Sequence, residues 1–132
     1  MTDTEFVERF ERGELETFRH ADHVRLACAY LNVCNRAEAL RRLEEGLLAF
    51  ATAKGVPGKY HRTLTRAWLE LVADARRRHA GARTGEALLA ACPALADAGF
   101  IRRFYSEERL ASDAAREGWI GPDLQPLSAT VY

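Results

Sequence analysis

No apolar run in the 132-residue chain approaches the ~20 residues that a membrane span requires. The first residues, Met1-Thr2-Asp3-Thr4-Glu5, are acidic and lack the basic and apolar regions of a secretory leader. Neither charge is in excess, because Lys plus Arg and Asp plus Glu each number 19. That balance sets aside a dedicated nucleic-acid or membrane-surface binder, which carries surplus base. Cysteine is scarce: Cys28, Cys34 and Cys92 are odd in number and show no CxxC spacing. They are expected to be free thiols acting as small core residues in a reducing, cytoplasmic setting. Period-2 apolar alternation, the mark of half-buried strands, is also scarce. No G-x-S-x-G, kinase signature or zinc ribbon is present, and H-E-x-x-H is absent.

What the chain has is a helical composition rich in Ala, Leu, Arg and Glu, with 48% apolar and 29% charged residues. It predicts an all-α fold: one domain over residues 1–132, a bundle of five or six helices closed by an irregular C-terminal strap. A first helix is expected from about Thr4 to Arg12, ended by Gly13. The second begins near His20 or Ala21 and runs to about Cys34. Asn35, with Glu38 three residues on, reads as the N-cap of a third helix that stops at Gly55-Val56-Pro57-Gly58. The fourth runs from Tyr60 or His61 to about His79, and a shorter one from Glu86 to about Cys92. The stretch from Pro93 to Tyr105 is expected to be helical in part. Ser106 should cap a last helix from Glu107 to about Glu117. The tail from Trp119 to Leu127, with Pro122 and Pro126, suits an extended strap.

Three histidines stand at expected helix starts: His20 and His23 in Phe18-Arg19-His20-Ala21-Asp22-His23, and His61 in Gly58-Lys59-Tyr60-His61. His20 and His23 are three apart and share a helix face, their Cβ atoms about 5–6 Å apart. Short connections make consecutive helices antiparallel, so helices two and four should begin at the same end of the bundle. A helix N-terminus disfavours imidazolium, and neutral imidazole is the form that binds metal. His20, His23 and His61 are therefore expected to hold one divalent Fe, Cu or Zn ion, with a coordination position open to water or substrate. Glu14, Glu16 or Asp22 would be the nearest carboxylates to complete such a set. Tyr60 and Tyr105 are the candidate acid/base phenols, and Lys59, Arg62 and Thr65 the candidate substrate-binding residues.

The leading expectation is a small metal-dependent enzyme acting on a small organic molecule, the metal serving as Lewis acid, water activator or O₂ site. The alternative is a metal-free module for an anionic small molecule held by Lys59, Arg62 and helix N-termini, with Arg25 as a further candidate. A third reading is an interaction protein that forms a homodimer through exposed apolar residues. No nucleic-acid or membrane partner is expected.

Phe18-x-His20-x-x-His23, Gly58-Lys59-Tyr60-His61-x-Thr63-x-Thr65, Phe104-Tyr105-Ser106-x-Glu108-Arg109-Leu110 and Pro122-Asp123-Leu124-x-Pro126-Leu127 together resemble a family of small bacterial all-helical proteins. The resemblance covers Phe10 to Leu127. It implies one domain with the tail as an integral part, and it supplies no activity. The H-x-x-H element alone is similar to that of hemerythrin-like and DinB-like bundles. The further His and carboxylate residues of the hemerythrin-like pattern are missing here, which argues against a di-iron site.

Overall fold

The computed structural model describes residues 1–128. Among them are seven α-helices, three 3₁₀ turns and no strand. The helices are α1 (Asp3–Glu11), α2 (His20–Val33), α3 (Arg36–Ala53), α4 (Arg62–Arg78), α5 (Gly85–Ala91), α6 (Glu107–Ala111) and α7 (Asp113–Glu117). The 3₁₀ turns span Pro57–Lys59, Pro93–Ala96 and Ala98–Arg103. The all-α bundle is as the composition predicts.

Local chemistry sets most boundaries. Asn35 Oδ1 accepts from Glu38 N–H at 2.9 Å and starts α3. That helix ends at Lys54, and Gly55 at φ 76° turns the chain in a conformation that L side chains rarely adopt. One boundary differs from expectation. The helix foreseen over Glu107 to Glu117 is two helices, because Ser112 takes an extended conformation (φ −70°, ψ 150°). Its hydroxyl accepts from Ala115 N–H at 3.2 Å and restarts the helix as α7. A serine followed by an acid in the next first turn is a start signal, and here it outweighs the continuing helical pattern.

α2 is the central element, packed against α1, α3, α4 and α5. Its segment Leu26–Tyr30 is buried on every face, and Trp68, Leu69, Leu71 and Val72 of α4 meet it in one contiguous core. Cys28 and Cys92 belong to that core, while Cys34 is half-buried; all three are free thiols. Asp3 ties three helices together. Its carboxylate accepts from Arg25 Nε at 2.7 Å and from Gly85 N–H at 3.0 Å. A Cβ at position 85 would lie 2.9 Å from the Arg25 Cα, so glycine allows α5 to approach α2 this closely.

The expected strap is present as the irregular chain beyond α7. Thr63, fully buried in the first turn of α4, holds it by donating to Gly118 C=O at 2.7 Å and accepting from Ile120 N–H at 3.1 Å. Tyr105 donates to Ile120 C=O at 2.7 Å, and Arg109 Nε to Gly121 C=O at 2.6 Å. Asp123 accepts from both the backbone N–H and the hydroxyl of Ser106. No helix among the described residues is long and apolar enough to cross a membrane.

Candidate functional site

His23, on α2, and His61, immediately before α4, open onto one cleft at one end of the bundle. The antiparallel order of α2, α3 and α4 brings the start of α2 and the start of α4 together with the end of α3. The cleft has a volume of about 320 Å³. Its apolar wall comes from Phe18, Leu47, Phe50, Ala51, Val56 and Leu64. Its polar residues are His23, Tyr60, His61 and Thr65, with Lys54 and Lys59 exposed at its edge. Aromatic contacts shape the wall: the Phe18 and Phe50 rings lie 5.5 Å apart at 49°, and Phe18 also meets Phe10 and the His23 ring.

The three histidines have separate roles. His61 is the N-cap of α4: its Nδ1 accepts from Leu64 N–H at 3.0 Å. Its proton therefore sits on Nε2, which donates to Leu110 C=O at 2.8 Å. Both nitrogens are engaged, leaving no lone pair for an ion. His20 turns the other way, with its ring 4.3 Å from that of Trp68 and Nε2 donating to Leu95 C=O at 2.7 Å. His23 remains. Its ring is half-buried, yet Nε2 is buried and has no hydrogen-bond partner. Burial, with a smaller contribution from His20, lowers its pKa from 6.5 to about 4, so the imidazole is neutral at pH 7.

A shared ion at His20, His23 and His61 does not fit this geometry. Among the described residues, no group of three or more His, Cys, Asp or Glu side chains is arranged to hold one. The acid nearest in sequence, Asp22, is used locally: its carboxylate accepts from Arg19 N–H at 2.8 Å and caps α2. Glu14 and Glu16 are exposed and form no part of the cleft.

The remaining candidates divide. Lys59, Tyr60 and Thr65 line the cleft as the sequence suggested. Burial and then Glu44 raise the Tyr60 pKa, while Thr65 and Arg62 draw it back, so its hydroxyl is a hydrogen-bonding group at neutral pH. Thr65 is buried and donates to His61 C=O at 2.8 Å within its own helix. Arg62 is paired with Glu44 at 2.7 Å and points to α3, outside the cleft. Arg25 is likewise committed to Asp3. Tyr105 is buried under the strap, its pKa raised to about 12 by burial, and its hydroxyl is spent on Ile120. It has no place in the cleft.

Phe18, Phe50, Leu64 and Lys54 were not foreseen as site residues. The first three follow apolar patterns that read equally well as core. Lys54 carried one usable signal, its position directly before the turn that brings Lys59 back to the same end. Its ammonium lies 5.4 Å from the Phe50 ring centroid.

No family model, curated protein or solved structure matches the chain.

Proposed function

We propose that this chain is a metal-free binding module for a small organic acid, held in the cleft between α2, α3 and α4. One observation carries the reading. An apolar cleft of about 320 Å³ is edged by two lysines and contains a neutral histidine whose Nε2 lacks a partner. Small-molecule sites are mostly apolar with a few convergent polar groups, and their volumes begin near 300 Å³. A buried polar atom without a partner costs stability, so an unpaired one beside a cleft is explained by a ligand that completes it. Lys54 and Lys59 give the cleft edge a positive field that favours an anionic head. Three free thiols support a reducing, cytoplasmic setting.

This reading is preferred to the metal-dependent enzyme because His61 has no nitrogen to give. It is preferred to the homodimer because it accounts for the cleft and the unpartnered His23 Nε2, to which the large exposed apolar residues Met1, Val33, Leu48, Trp119 and Leu124 do not contribute.

Two ligands with the same body and opposite charge test it. Phenylacetate should shift the backbone amide signals of Phe18, His23 and Leu64, and phenethylamine should not. Replacing Lys54 and Lys59 together by Ala should weaken the acid about tenfold, a loss of about 1.4 kcal/mol. Absence of shifts at these amides with millimolar acid would sink the proposal. Separately, protein loaded with Zn²⁺ or Fe²⁺ and then desalted should retain far less than one equivalent. Stoichiometric metal that is lost in His61→Ala would restore the enzyme reading.

A further inference from the structure

We infer that the cleft selects a single-ring aromatic acid bearing a hydroxyl remote from its carboxylate, and that His23 is the residue that reads the hydroxyl. The inference rests on the binding-module reading and adds the ligand's chemistry. The volume lies at the small end for ligand sites, which suits one ring rather than a fused system. Phe18 and Phe50, which both line the cleft, already pack with Phe10 as a cluster of rings, and a ligand ring would extend that cluster.

Polarity is distributed unevenly around the cleft. The lysines are exposed at the edge, whereas His23 Nε2 is buried. A ligand that places its carboxylate at Lys54 and Lys59 therefore presents its far end to the histidine. A neutral imidazole carries a proton on one nitrogen and a lone pair on the other. A hydroxyl both donates and accepts, so it satisfies Nε2 in either tautomer. A methyl group of similar size would leave Nε2 unpaired. Sites that hydrogen-bond a ligand hydroxyl discriminate strongly against analogues lacking it, for that reason.

This contact requires the cleft wall to move. Nε2 has no surface open to water, and the Phe18 ring is its aromatic neighbour, at 6.4 Å between centroids. Phe18 is carried on the irregular connection between α1 and α2. The hydroxyl reaches Nε2 through a rotamer change of a side chain in the cleft wall, of the kind common at ligand sites, and Phe18 is a candidate for it.

The test compares phenylacetate, 4-methylphenylacetate and 4-hydroxyphenylacetate by titration calorimetry on the full chain at pH 7.5. It adds ¹⁵N spectra of the His23 ring. The hydroxy acid should bind about tenfold or more tightly than the methyl acid. Only the hydroxy acid should move the Nε2 resonance. His23→Leu should erase the preference, and His23→Gln, which keeps a hydrogen-bonding group, should retain part of it. Should His23→Leu fail to fold, the glutamine variant and the wild-type ring spectrum still decide. Equal affinity for the methyl and hydroxy acids, with the cleft amides shifting for both, would overturn the role of His23 and leave the organic-acid reading standing. No binding by any of the three acids would overturn both.

Discussion

The first turn of α4 faces two regions that differ in how far the chain itself fills them. On one side Thr63 meets the strap, where its hydroxyl gives one hydrogen bond and takes another, and Tyr105, Ser106 and Arg109 find partners in residues 118–123. On the other side Leu64 and Thr65 meet the cleft, where apolar walls surround a histidine nitrogen with no partner. On the strap side these four side chains find partners within the chain and serve the fold, and one polar atom, Arg66 Nε, is buried without a partner where its guanidinium lies 4.4 Å from the Trp119 ring centroid. On the cleft side the unpartnered His23 Nε2 belongs to a residue that borders open volume, which is the feature the proposed ligand would complete. Tyr60 and Tyr105 make the same point. Both are tyrosines with raised pKa values, yet one borders open volume and the other is locked under the strap.

The comparison is broken most forcefully at Thr63. Thr63→Val keeps the shape, removes both hydrogen bonds to the strap, and should cost about 3 kcal/mol in urea unfolding. A loss below about 0.5 kcal/mol would mean that the strap is not held by this residue. Acidification strikes the other side. The folded-state pKa of His23, about 4, lies below its ordinary 6.5, so the unfolded chain binds more protons between those values. Stability from this group is present above pH 6.5 and is lost as pH falls toward 4. The loss should be about 2 kcal/mol between pH 7 and pH 4.5. It should be missing from His23→Leu, so subtracting the two pH profiles isolates it. Ser106→Ala removes a bond to Asp123 and the cap on Arg109 N–H, and should cost about 1 kcal/mol. The smallest effect sharpens the contrast. At pH 7, His23→Leu should leave stability unchanged or raise it by up to about 1 kcal/mol, because it removes an unsatisfied group from the wall. A clear loss on thermal unfolding would instead make His23 structural.

Much of this fold is legible because its punctuation is local. Asn35 with Glu38, Gly55 before Pro57, and Ser106 before two acids mark boundaries through bonds made within a few residues. The shared end of α2 and α4 also follows from short connections alone. What sequence conceals is the long-range partner. His61 has the type and position of a metal ligand, but the carbonyl that occupies its Nε2 belongs to Leu110, 49 residues away. Arg62 stands one residue further on, and its partner Glu44 lies on another helix. Tyr105 is followed by a capping serine that promises a surface position, while the strap that buries it returns only after α7. The cleft wall was hidden for a different reason. Phe18, Phe50 and Leu64 obey the same apolar rule as core residues, and only the packed helices decide which apolar side chains border open volume.

The clasp at Thr63 also sets where the chain can be cut. A version ending before residue 118 would strip partners from Thr63, Tyr105, Ser106 and Arg109 together, two of them fully buried. Trimming the irregular tail before Asp123 as though it were an accessory would therefore remove part of the foundation of α4.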